Sequence, residues 1–138
     1  NNNNNTKIDG CQTQSFISGF DLLGSTERQA TFLWQVSGER FDDEEFLQAG
    51  VDAYHKFLRL KKQAASKGIT LVPTYQIDLV WHTHILSGIE KYNKDCISIT
   101  GGRFHHDDSL TDRNEGSKLV VSYRCTRQLW QDVYGVEY

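Results

Sequence analysis

The strongest periodicity in the chain lies between Asp42 and Lys67. Leu47, Val51, Tyr54 and Leu58 recur at steps of 4, 3 and 4, flanked by Phe46, Phe57 and Leu60, which is the apolar stripe of an amphipathic helix. Asp42, Asp43, Glu44 and Glu45 open the segment, and Lys56, Arg59, Lys61, Lys62 and Lys67 close it. A helix dipole favours that order of charge. Gly68 stands where a residue of positive φ ends a helix. The pattern predicts a helix over residues 42–67.

Weaker signals surround it. Ser25-Thr26 opens a second candidate helix, with Thr26 and Gln29 at capping-box spacing and Phe32, Leu33 and Val36 following until Gly38. Pro73 marks a break before Thr74–Leu86. As a strand that run puts Asp78, Val80, His82 and His84 on one face; as a helix it pairs Asp78 with His82. Thr74 as N-cap and the helices on either side favour the helix. Ser87-Gly88 kinks it before Ile89–Ile97, and Thr100-Gly101-Gly102 is a stop. Residues 103–114 are polar and loop-like. Ser117–Tyr134 is the last helix, with Leu119, Tyr123, Trp130 and Tyr134 on one stripe and Gly135 at its end. The expected fold is all-α, a bundle of about four to five helices with a polar His/Asp loop. Residues 1–24, which begin with five asparagines, form a flexible or extended arm, and residues 25–138 a single helical domain.

Composition narrows the class. The 138 residues suit one domain, and 15 Lys+Arg against 18 Asp+Glu give a net charge of −3. No basic field advertises nucleic acid or anionic lipid. No apolar run approaches a membrane span, and no signal-peptide pattern appears. The chain has no Met, so its natural start is expected to lie outside it. Cys11, Cys96 and Cys125 are widely spaced without a CxxC, against a disulfide scaffold or a Cys-rich zinc site. A reducing, cytoplasmic compartment is expected rather than secretion, with a single disulfide left open.

Candidate chemistry gathers in two segments, Asp78-Leu79-Val80-Trp81-His82-Thr83-His84 and Phe104-His105-His106-Asp107-Asp108. Imidazole and carboxylate are donors that divalent Zn, Fe, Mn or Cu accept. On a helix His82 and His84 diverge by about 200°, given ~3.6 residues per turn, so both reach one ion only from an extended segment or a helix end. Asp78 lies one turn from His82, as a ligand or as a partner that orients the ring. An ordinary helix-surface pair explains the same spacing, and there is no HExxH. Elsewhere the acidic turn 42–45 reads as a helix start and the Lys56–Lys67 group as a solvated face. Trp34, Trp81 and Trp130 read as core, and His55 as a partly buried helix residue. Cys96 and Cys125 have no sequence neighbour to activate them, and nucleotide-binding glycine motifs are absent.

Val72-Pro73-Thr74 with Ile77-Asp78-Leu79-Val80-Trp81-His82-Thr83-His84 resembles the signature of the glycine-rich domain-containing-protein-like family. The resemblance takes in Phe57-Leu58, Tyr92, Asp95-Cys96 and His106-Asp107-Asp108, and closes on Trp130, Tyr134-Gly135 and Tyr138, covering roughly residues 25–138. It implies that Asp78, His82, His84, His106 and Asp107 belong to the motif, but no reaction is assigned to such domains. In plants they precede glycine-rich and sometimes RNA-binding segments, whereas the 11 Gly here are scattered. Ser87-Gly88 also replaces a proline that members often carry.

The leading expectation is a His/Asp site holding a divalent metal, zinc ahead of iron, manganese and copper, with hydrolytic or oxidative catalysis open. Asp78, His82, His84 and His106 are the candidate ligands. Asp78, His84 and Asp107 are the candidate acid–base groups. The alternative is a non-enzymatic protein-interaction module in which the cluster is a structural polar network. A small molecule or a protein is the expected partner, rather than nucleic acid or a membrane.

Overall fold

A computed structural model describes residues 16–138. The asparagine run 1–5 and Cys11 lie outside these residues. The chain divides into two compact units at Leu33/Trp34.

In the first unit β1 (Phe16–Ile17) pairs antiparallel with β2 (Phe20–Asp21). The turn between them uses Ser18 at φ 51° and Gly19 at φ 80°, the doubly positive geometry that matches the twist of a two-residue hairpin. Helix α1 (Leu22–Gln35) follows at once. Its start is earlier than the Ser25-Thr26 signal implies, because Asp21 Oδ1 accepts from the Gly24 N–H at 3.0 Å and takes the capping role. Thr26 is already inside, its hydroxyl donating back to the Leu22 carbonyl.

The second unit is a bundle of α2 (Glu44–Ser66), α3 (Tyr75–Leu86), α4 (Ile89–Thr100) and α5 (Lys118–Tyr134). A 3-10 turn at Glu39–Asp42 precedes it. Asp43 caps α2 by accepting from the Phe46 N–H at 3.0 Å, so the acidic turn is a helix start. Gly68 stands at φ +66° just beyond the end of α2. Thr74 caps α3 and Ser117 caps α5 in the same way. Ser87-Gly88 separates α3 and α4 as distinct helices. Gly88 takes φ 125°, ψ 126°, a backbone no L residue holds without strain.

The core is Tyr54, Phe57, Leu58, Leu60 and Ala64 of α2 against Ile77 and Trp81 of α3, Tyr92 and Cys96 of α4, Phe104, and Leu129 and Trp130 of α5. Two expectations fail here. Trp34 is 73% exposed, because its apolar stripe on α1 buries no residue. His55 is exposed, since it sits between the buried Tyr54 and Phe57 on the turn of α2 that faces water. The α5 stripe is also richer in polar groups than its apolar letters indicate. Its buried face includes Ser122 and Thr126, and the Thr126 hydroxyl accepts from the Val72 N–H at 3.1 Å, binding the α2–α3 connection to α5. Among the described residues no helix is long and apolar enough to cross a membrane.

Candidate metal centre

Two pieces of local structure make the site. The first is α3, fixed at its start by the Thr74 cap, which sets Asp78 and His82 one turn apart on one face. The second is the loop after α4. Gly101 at φ 80° ends that helix, and the buried Phe104 then anchors the loop. Its ring lies 4.6 Å from Trp81 and 5.8 Å from Phe57 between centroids, with Lys61 Nζ 4.6 Å above it. The Tyr92 hydroxyl accepts from Trp81 Nε1–H at 2.7 Å and donates to the Phe104 carbonyl. Two residues on, His106 is delivered to α3, its ring edge-on to Trp81 at 4.6 Å.

Asp78, His82 and His106 converge there. His106 Nε2 lies 2.8 Å from Asp78 Oδ1 and 3.1 Å from His82 Nε2, and His82 Nε2 lies 3.7 Å from the same carboxylate oxygen. A point about 0.8 Å above the plane of these three atoms is about 2.05 Å from each, inside the ~2.0–2.2 Å range of zinc–nitrogen and zinc–carboxylate bonds. The side chains are 17–19% exposed, so the site is sheltered yet reachable from solvent.

Its electrostatics keep the His82 ring neutral. Two facing nitrogens 3.1 Å apart tolerate a proton on one of them only. Burial holds the His82 imidazole below its ordinary value, and the neighbouring His106 pushes the same way, against Asp78 and Asp108. The neutral ring is the form that ligates a metal.

The other predicted residues lie elsewhere. His84, two positions past His82, turns to the opposite face of α3. Its Nδ1 meets the Tyr54 hydroxyl at 2.9 Å and its Nε2 meets Asp95 Oδ2 at 3.1 Å, while Lys91 Nζ donates to the same oxygen at 2.7 Å. Asp107 is exposed and accepts from the Ser109 N–H in a turn-forming bond; the Ser109 hydroxyl, and then that N–H, hold its carboxyl below the usual carboxylate range. His105 is exposed. The charge of Asp108, next to Asp107, acts on His82. Cys96 and Cys125 are free thiols, one buried and one exposed. Burial pushes the Cys96 thiol up, the reverse of an activated nucleophile.

The sequence places Tyr54 on the apolar stripe of α2 and Asp95 within the family motif, and signals no bond from either to His84. Lys91 and Asp95 stand at i, i+4, a visible helix pair, but Tyr54 is 30 positions from His84 and nothing local links them.

Residues 1–95 match the family described as Glycine-rich domain-containing protein-like. The chain belongs to that family. The match of this glycine-rich domain-containing-protein-like chain includes Asp78, His82, His84 and Asp95, and ends before His106. Over 121 residues the chain is 40% identical to "Glycine-rich domain-containing protein 2" and 36% identical to "Glycine-rich domain-containing protein 1", both of Arabidopsis thaliana. Each alignment covers 86% of this chain and 15% of the relative, so the chain spans about a seventh of the length of the curated relatives it matches. No solved structure matches it.

Proposed function

We propose that this domain binds a divalent transition metal through Asp78 Oδ1, His82 Nε2 and His106 Nε2. One observation carries the reading: a single point lies at bonding distance from all three atoms. Two imidazoles and one carboxylate are the donor set of catalytic zinc sites and of non-haem iron(II) sites, and three protein ligands leave a coordination position open. Zinc is the first choice. Bound there, the metal supplies a Lewis acid to a small molecule that reaches the 17–19% exposed rim. The chain's own part is to hold the donors in place. Asp78 and His82 are fixed by helix register, and His106 by Phe104, Trp81 and Tyr92.

The test is elemental analysis by mass spectrometry on protein purified without affinity metals or chelators. The expected result is about one equivalent of metal per chain, lost in His82→Ala/His106→Ala with the helical circular dichroism unchanged. Equal metal content in the double variant refutes the assignment.

A second reading rests on the 2.8 Å contact of His106 with Asp78, which is a good hydrogen bond as it stands. In that reading the cluster is a polar network pinning the loop to α3 within an interaction module. Its signature is a metal-free protein destabilised by ~1–3 kcal/mol in Asp78→Ala.

A further inference from the structure

The metal face of α3 continues toward the start of the helix. Tyr75 stands there, one turn before Asp78 and two turns before His82. The loop that follows α4 is pinned to this face at two places. His106 meets Asp78 at 2.8 Å. Further along, Arg113 Nη2 donates to the Tyr75 hydroxyl at 2.6 Å, and its guanidinium carbon lies 6.0 Å from the ring centroid. One loop therefore brings a candidate metal ligand and a guanidinium to neighbouring turns of one helix. Their separation is one to two turns along the face, ~5–11 Å.

Arg113 keeps its charge. Among the described residues no carboxylate pairs with it. The acids near it in the loop turn back on their own backbone: Asp112 Oδ1 accepts from the Asn114 N–H and Asp107 Oδ1 from the Ser109 N–H, each at 2.9 Å. A phenol and its ring orient the guanidinium without neutralising it, and most of its N–H donors stay open. An oriented, exposed guanidinium is a bidentate receptor for carboxylate or phosphate. A divalent ion in the candidate centre adds little pull of its own on an anion. The carboxylates of Asp78 and Asp108 both act on His82, and together they balance two positive charges. The head group of a ligand at the open position is then best neutral, and its negative charge belongs at Arg113.

We infer that Arg113, held by Tyr75, selects small molecules that carry a terminal oxyanion, a carboxylate or a phosphate, and whose carbonyl-type head group reaches the metal. Arg113 is the specificity-determining residue and Tyr75 the one that positions it. The inference rests on the metal reading above and deepens it by naming the substrate class. An oxyanion docked at Arg113 gives the ligand a second fixed point, so its head is oriented toward Asp78, His82 and His106. A molecule of the same length with an apolar tail has only the metal to hold it and leaves the guanidinium in water.

The experiment is isothermal titration of the zinc-loaded chain with three hydroxamates that offer the metal the same head group. Succinic monohydroxamate ends in a carboxylate, 3-phosphonopropionohydroxamate in a phosphonate and butyrohydroxamate in a methyl group, so differences in affinity report the tail alone. The expected result is about tenfold tighter binding of a charged ligand than of butyrohydroxamate, and the tail that gains more distinguishes carboxylate from phosphate as the natural group. Arg113→Met abolishes the preference, with butyrohydroxamate affinity and zinc content unchanged, which also shows that the variant is folded. Arg113→Lys retains part of the preference, because it keeps the charge and loses the fork. Tyr75→Phe weakens it by removing the hydroxyl that fixes the guanidinium. Equal affinity for all three ligands, or a preference that survives in Arg113→Met, overturns the inference and leaves the metal reading intact. A chain that takes up no zinc and binds none of the three overturns the metal reading, and the inference falls with it.

Discussion

Tyr92→Phe removes one oxygen atom from the centre of the molecule and keeps the ring. That oxygen accepts from the Trp81 indole N–H at 2.7 Å and donates to the Phe104 carbonyl. Trp81, Tyr92 and Phe104 are each at most 5% exposed, so water does not replace what is lost. Leaving a buried donor or acceptor unsatisfied costs ~1–3 kcal/mol per group, and two groups are orphaned together. The expected loss is about 3 kcal/mol. Tyr134→Phe is the matched control. Its hydroxyl donates to the Lys56 carbonyl at an exposed site, where water takes over, and the expected loss is about 1 kcal/mol or less. Urea unfolding followed by tryptophan fluorescence measures both, the midpoints shifting at constant m-value. For a chain of this length the difference of about 2 kcal/mol appears as roughly 6 °C in thermal midpoint. Because Tyr92 also holds the loop that delivers His106, metal affinity should weaken in Tyr92→Phe and not in Tyr134→Phe. Equal losses in the two variants would refute the idea that burial of the Trp81–Tyr92–Phe104 bonds makes them costly to break.

Further expectations follow from other bonds. Thr126 is fully buried and its hydroxyl accepts from the Val72 N–H, so the near-isosteric Thr126→Val should cost ~1–3 kcal/mol in denaturant unfolding by stranding that donor. Thr74→Ala removes the acceptor of the Ile77 N–H at the start of α3 and should cost ~1 kcal/mol, with a loss of metal affinity because Asp78 lies in the same turn. Burial holds the His82 imidazole low in the folded chain, so below the unfolded value of about 6.5 the unfolded state binds more protons. Metal-free protein should therefore lose stability as pH falls from that value through the folded one, a decline that His82→Gln flattens in thermal melts. Metal-loaded protein should release its ion over the same descent, measured by dialysis and elemental analysis. Hydrogen bonds from Lys91 and then His84 hold the Asp95 carboxyl below its ordinary value, so stability present above about pH 4 should fall as pH drops through the folded value. Asp95→Asn should lessen that acid sensitivity.

The helices were legible wherever the chain carries its own local instructions. Asp43, Thr74 and Ser117 each accept from the N–H three residues on, and Gly68, Gly101 and Gly135 each adopt positive φ where the stripes end. These are short-range effects, and the letters nearby contain them. The start of α1 was not legible in the same way. Asp21 and Thr26 both offer a capping oxygen, and Asp21 prevails because the hairpin ending at β2 places it at the helix entrance. Trp34 and His55 failed for another reason: an apolar neighbourhood in sequence does not state which side of a helix meets a partner.

The candidate site divides along the same line. Asp78 and His82 were paired by helical spacing alone, and the structure keeps that pairing. His106 is a candidate ligand from its donor-rich segment alone, but what brings it to α3, Phe104 two residues earlier lodged against Phe57 and Trp81, has no local signal. His84 stands two positions from His82 in the motif, yet about 200° of helix rotation sends it to Tyr54 and Asp95. Trp81 lies between these two faces, touching the His106 ring on one side and bonding Tyr92 on the other. A Trp-His-Thr-His run on one central helix therefore encodes two polar centres and the aromatic bridge between them. This grouping predicts how substitutions should combine. Changes at His82 and His106 should be strongly non-additive in metal retention, because each removes one of the three donors proposed for a single ion. Changes at His82 and His84 should be nearly additive in stability, because His82 faces Asp78 and His106 whereas His84 faces Tyr54 and Asp95.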